Sequence, residues 1–291
     1  MYEAPSSSEL TKRVRTGIPL ATGIALVVLA PTFILGLVVL VLAFIGAYEL
    51  TTMLAGNEDN NDSTVLLPEW LLPAAAVLMG LGALGGESVL HATFLISVAG
   101  WIIFELVFAP KKKLSKFTPL GFGLFGMVWI IWSLAHMTLI RELPDGKSLL
   151  FYLLFVISFS DIFAYFGGKK FGKSMLAPSI SPKKTWEGSF FGVVGGGLVG
   201  AVFGEIVMSM FWVYGMLLAM VLAVVGQFGD LIESKIKRLC NVKDSGKILP
   251  GHGGILDRID GHMLAAPFFY YLLKLCLLYT SDAADEGLGV D

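Results

Sequence analysis

Charge is scarce in this chain: Asp, Glu, Lys and Arg make up only 15% of its 291 residues, against 55% hydrophobic, and the mean hydropathy is +0.76. Soluble domains carry about a quarter charged residues, so water is excluded as the solvent for most of this surface, and a bilayer is implied. An excess of either sign is also lacking. With a formal net charge of −2 there is no overall field to draw nucleic acid, and none is expected as a partner. Cysteine is nearly absent. Cys240 and Cys276 have no metal-ligand spacing and make no disulfide framework, so redox compartment stays open. No base is patterned beside Cys240, which reads as a packing residue rather than a nucleophile.

Long apolar runs take the place of charge. A helix needs roughly 20 predominantly apolar residues to cross the hydrocarbon core, and about nine stretches approach that length. They lie at 18–30, 32–50, 70–84, 89–108, 120–140, 149–166, 190–210, 211–228 and 264–278. The expected fold class is therefore all-α, a polytopic transmembrane helical bundle of about nine spans. The polar start carries Lys12, Arg13 and Arg15 like the flank of a signal peptide, but a second apolar run follows Pro31 almost at once. A hairpin retained in the membrane is expected.

Basic loops stay cytoplasmic. With the N-terminus cytoplasmic, Lys12, Arg13, Arg15, the Lys111 to Lys116 cluster, Lys169, Lys170, Lys173, Lys183, Lys184 and the basic residues from Lys235 to Arg258 share that face, leaving Arg141 and Lys147 clearly outside. The acidic stretch Asn57 to Thr64 reads as a connector. Gly192, Gly195, Gly196, Gly197 and Gly200 sit within one span and suit close helix packing. No strand is expected before them, which disfavours a nucleotide-binding glycine loop.

The chain divides into hairpins and a first catalytic helix over 1–166, a catalytic region with cytoplasmic loops over 167–275, and a tail over 276–291. The run CLLYTSDAADE, from Cys276 to Glu286, matches the translation of a transposon adapter used in sequencing libraries. It is expected to be non-native, with the natural chain cut near Leu275.

Chemistry concentrates in GDLIESKIKRLCNVKDSGKILPGHGGILDRID, residues 229–260. Asp230, Glu233, Ser234, Lys237 and Arg238 recur at helical spacing, opposite Leu231, Ile232, Ile236 and Leu239. Such a stripe at the end of a membrane helix suits a hydrated cavity. A glycine-rich loop then carries Lys243, Asp244 and His252, and can bring backbone N–H groups to phosphate oxygens. His252 either holds the turn or touches substrate. Asp257 and Asp260 follow at i, i+3 on one helix face; with Asp230 they form a candidate site for Mg²⁺, which prefers oxygen ligands and leaves positions for substrate phosphates.

From Ser234 to Asp260, the ordered elements S-K-I-K-R, K-D-S-G, P-G-H-G-G and D-R-I-D resemble the signature of the phosphatidate cytidylyltransferase family. Two upstream segments agree, SDIFAYFGGKKFGK at 160–173 and SPKKTWEG at 181–188. Read alone, Asp161 is an intramembrane acid, either functional or a helix-to-helix hydrogen-bonding group. Lys183 and Lys184 either anchor the positive-inside loop or bind a polyphosphate ahead of a helix.

The resemblance implies transfer of the cytidylyl group of CTP to phosphatidic acid, giving CDP-diacylglycerol and pyrophosphate, with Mg²⁺ and a second cation left open. It implies metal at Asp230, Asp257 and Asp260, with Lys243 and Asp244 also in the catalytic group. Substrate contacts are expected from Asp161, Lys183, Lys184, Thr185, Glu187, Ser234, Lys237, Arg238, His252 and Arg258. The partners are CTP, phosphatidic acid and the bilayer. A homodimer is left open, and the expected location is a bacterial inner membrane with the site at the cytoplasmic face. Two rivals remain: a CTP-dependent polyprenol kinase, and a proton-coupled transporter using acids such as Glu105. Glu49 closes the second span, and neither it nor Glu105 has an assigned role.

Overall fold

The computed structural model describes residues 7–55, 68–108, 119–248 and 253–287. Almost all of this is helix, since a backbone in hydrocarbon must satisfy its own N–H and C=O groups. Helix α1 (Ser7–Leu29) stops just short of Pro31, whose ring disfavours helical geometry in the preceding residue. Helices α2 (Thr32–Ala55), α3 (Leu71–Leu84) and α4 (Glu87–Phe108) follow. The next rod is composite: α5 (Pro119–Gly126), a π-helical stretch Met127–Trp132, and α6 (Ser133–Glu142). There the Ser133 hydroxyl donates to the Val128 carbonyl at 2.9 Å, which satisfies a carbonyl within the widened turn. Helices α7 (Gly146–Phe171), α8 (Trp186–Met208), α9 (Trp212–Leu239) and α10 (Leu256–Gly287) complete the bundle.

The rods appear in the expected order, but nine crossings are not established. Among the described residues six helices are long and apolar enough to span: Thr32–Leu54, Glu87–Val107, Gly121–Glu142, Gly146–Phe171, Trp186–Met208 and Trp212–Leu239. The apolar helices Gly17–Leu29 and Leu71–Leu84 are shorter. Fourteen helical residues rise about 21 Å, against a hydrocarbon core of about 30 Å. The Lys111 to Lys116 cluster and the whole Asn57 to Thr64 connector lie outside the described residues.

A second correction concerns the all-α expectation. Strands β1 (Met175–Ala177) and β2 (Ser181–Thr185) pair antiparallel, Met175 opposite Thr185 and Ala177 opposite Ser181, and β2 runs straight into α8. A strand does precede the α8 glycines. They nevertheless serve packing, because α8 lies against α7 on one side and α9 on the other. At Gly200 a Cβ would fall 2.2 Å from that of Ala219 and 2.8 Å from the Gly215 carbonyl oxygen, so only glycine permits this approach. The Tyr152 hydroxyl donates to that same Gly215 carbonyl, tying α7 to α9. Helix α10 packs on α9 and on α6, and α2 packs on α3 and α6, which joins the two halves of the bundle.

Candidate active site

One end of the bundle gathers the C-terminal ends of α2, α7 and α9, the β hairpin, and the start of α10 with the described residues ahead of it. Helix α9 continues through the polar stripe to Leu239, burying Glu233 and Ser234 while leaving Arg238 exposed. Asp230, Glu233 and Asp260 each offer a carboxylate oxygen within 4.8 Å of the others. Among the described residues this is the one group with the ligand types and spacing for a metal ion.

The donor set fits a hard divalent cation. Three carboxylates at this separation repel one another unless a cation lies among them. Glu233 is only 1% exposed, and its Oε1 has no hydrogen-bond partner. Lys237 Nζ stands 2.6 Å from Glu233 Oε2 as an ion pair. Asp230 is paired with Lys184 of β2 and accepts a long hydrogen bond of 3.4 Å from the Ser234 hydroxyl. Asp161 has Asp230, Lys184 and Arg258 as charged neighbours, so the end of α7 faces the same group.

Asp257 differs from its expected place. It is expected with Asp230 and Asp260, whereas the carboxylate that clusters with those two is Glu233, and both Asp257 oxygens are bonded elsewhere. Oδ1 receives Lys237 at 2.6 Å; Oδ2 accepts from the Ser245 N–H, the Ser245 hydroxyl and the Gly254 N–H, each at 2.9 Å. Asp257 lies ahead of the apolar stretch that starts at Leu264. Burial opposes its charged form, but Lys237 and the N–H groups of Gly254 and Ser245 outweigh burial and hold its carboxyl below the usual carboxylate range. Lys237 thereby bridges Glu233 to Asp257, α9 to α10.

Other expected contact residues shape the backbone. Thr185 caps α8, its hydroxyl accepting the Gly188 N–H at 3.1 Å, and Glu187 accepts the Lys173 N–H at 3.1 Å and the Ser174 N–H at 3.3 Å. Arg238 donates to the Ile180 carbonyl at 3.2 Å, pinning the hairpin turn to α9. Lys183, Lys243 and Asp244 are exposed. His252 lies outside the described residues. Cys240 is buried, 5% exposed, as a packing residue.

Glu49 was not foreseen here. It is 3% exposed and accepts from the Ile255 N–H at 2.9 Å and the Leu256 N–H at 3.0 Å, and it shares the single Ser245 O–H, at 3.1 Å, with Asp257 Oδ2. Its signal in the sequence was an acid at the end of an apolar run, which says that a partner is needed but not which one. Glu233 stood on the helical stripe with Asp230, and only the fold shows that Asp260 joins them.

The profile of the Cytidylyltransferase family matches residues 11–276. A phosphatidate cytidylyltransferase of Bacillus subtilis is 42% identical over 166 residues, 56% of this chain and 62% of that protein. One of Staphylococcus epidermidis is 32% identical over 275 residues, 90% of this chain and 98% of that protein. The uncharacterized protein YnbB of Escherichia coli is 29% identical over 280 residues, 92% of this chain and 88% of that protein.

Proposed function

The chain belongs to the cytidylyltransferase family, and from that premise we propose that it transfers the cytidylyl group of CTP to phosphatidic acid, releasing pyrophosphate. The observation that carries this reading is the group Asp230, Glu233 and Asp260 set among Lys184, Lys237 and Arg258 at a membrane helix end. In the reaction a phosphate monoester oxygen of phosphatidic acid bonds to the α-phosphorus of CTP, while the bond from that phosphorus to the bridging oxygen breaks and pyrophosphate departs. The nucleophile is already anionic, so no strong base is required. Alignment and charge neutralisation are the protein's task.

Asp230, Glu233 and Asp260 would hold Mg²⁺, with Asp161 available to a second cation. The ion, when bound, would neutralise phosphate oxygens. Lys184, Lys183, Lys243 and Arg258 supply positive charge to the phosphates of CTP and lipid. Lys237 and Asp257 hold α9 and α10 in register, and Arg238, Thr185 and Glu187 hold the hairpin that carries Lys184. The site faces the cytoplasm of a bacterial inner membrane, where CTP arrives from solution and the acyl chains stay in the bilayer.

Purified protein given CTP, phosphatidic acid and Mg²⁺ should yield CDP-diacylglycerol by mass spectrometry of the lipid. Label from the cytosine ring should enter lipid. Entry of γ-phosphate label instead would make the chain a kinase, and entry of neither would remove the activity. In intact cells, cysteine placed at Lys183 or Asp244 should resist an impermeant external thiol reagent; labelling of both would overturn the orientation.

A further inference from the structure

Glu49 belongs to α2, far in sequence from every other residue of the site, yet its carboxylate is buried at the start of α10. We infer that Glu49 is a positioning residue for the cytidylyl transfer proposed above: it holds Ser245 and the Ile255–Leu256 start of α10 and so sets Asp257 and Asp260 against α9.

Ile255 and Leu256 carry N–H groups at the start of α10, where a helix has no internal acceptor for its first donors. No Ser, Thr, Asp or Asn precedes them to serve as a cap, since the chain reads Gly253, Gly254, Ile255. Glu49 supplies the missing acceptors, with Oε1 on the Ile255 N–H and Oε2 on the Leu256 N–H. A negative charge there also complements the positive end of α10. The Ser245 hydroxyl lies 3.1 Å from Glu49 Oε2 and 2.9 Å from Asp257 Oδ2, so one residue joins the α2 carboxylate to the α10 carboxylate.

Gly246 and Gly254 are fitted to this side chain. At Gly246 a Cβ would fall 2.4 Å from Glu49 Oε1, and at Gly254 it would fall 2.6 Å from Glu49 Oε2 and 2.2 Å from the Ser245 hydroxyl. At those two positions the space is filled by a carboxylate of the protein itself. The N-terminal half thus contributes to the site through the Glu49 side chain, which does not itself stand among the candidate ligands.

The test is Glu49→Gln in the full chain, with Ser245→Ala as a second variant and Glu105→Gln as a control. Glutamine keeps the shape but replaces one acceptor with a donor facing an N–H. For folded Glu49→Gln the expected result is a kcat lower by on the order of 10- to 100-fold, comparable with a small misplacement of reacting groups. KM for CTP should change little, and Glu105→Gln should behave as wild type. Wild-type kcat in folded Glu49→Gln would overturn the inference. If that variant does not fold, Ser245→Ala decides it: lowered kcat with unchanged KM supports the inference, and unchanged kcat overturns it. An activity-free measurement separates this from the reaction itself. Amide exchange in the wild type should protect Ile255 and Leu256 like interior α10 amides, and free exchange at both would remove the contact even if CDP-diacylglycerol is made. Absence of that product with both amides protected would instead remove the proposed reaction.

Discussion

The bundle contains two polar clusters, and they differ in how their groups are satisfied. Away from the candidate site, Glu87 at the start of α4 pairs with Lys274 of α10. Beside them the Tyr271 hydroxyl lies 3.1 Å from His91 Nε2 and 3.4 Å from His136 Nε2, while His136 Nδ1 lies 2.7 Å from the Trp132 carbonyl. Nδ1 of His136 donates to that carbonyl, so its Nε2 accepts the Tyr271 O–H, and His91 Nε2–H donates to the Tyr271 oxygen. Charges there cancel. In the candidate site the acids Asp230, Glu233 and Asp260 crowd together, and Glu233 keeps one oxygen, Oε1, without a partner. A satisfied buried network fastens helices to each other. One with excess charge of one sign stores repulsion that a cation relieves, so it is suited to a ligand.

The largest expected effect is that of Lys237→Met, which strips the cation from between Glu233 and Asp257 while both stay buried. Breaking a buried pair on one side costs about 3–5 kcal/mol, so both detergent thermal stability and turnover should fall together. Stability equal to wild type would mean that the two acids are not held by Lys237.

Next come Glu233→Gln and Asp260→Asn. Each removes a charge from the cluster but keeps an oxygen, and should lower turnover by on the order of 10²-fold, like loss of a preorganised charge-stabilising group. Thermal stability without metal should hold or rise, because repulsion is reduced. Activity measured against Mg²⁺ concentration checks this; near-normal turnover of both variants at ordinary Mg²⁺ would refute the cation site.

Tyr271→Phe should act in the opposite sense. It leaves ring nitrogens of His91 and His136 without their shared partner, at a cost of about 1–3 kcal/mol, and turnover per folded molecule should be unchanged. A large loss of turnover with unaltered stability would make the second cluster functional and erase the contrast. The smallest effect is expected from removing residues 276–291, since every assigned group precedes Gly261. Turnover should remain at the wild-type level; its loss would give the tail a part in the reaction, and recovery of its codons in independent long reads of the source locus would make it native.

Composition alone placed the chain in a membrane, because 55% hydrophobic residues in long runs have no other solvent. The helical stripe from Asp230 to Arg238 and the ordered signature through Asp260 are local patterns, legible because neighbours in a helix are set by spacing. The β hairpin was missed: SPKKT has no strong strand pattern, and its pairing depends on the turn that Arg238 holds at Ile180. Which carboxylates meet across α9 and α10 was not legible either. Spacing puts Asp257 and Asp260 on one face, but the approach of the two helices decides that Glu233 joins Asp260 and that Lys237 and Ser245 claim Asp257. The docking of Glu49 on Ile255 and Leu256 lies furthest from the sequence. A sequence records that a buried acid needs donors; only the tertiary fold, by bringing α2 to the start of α10, decides whose donors they are.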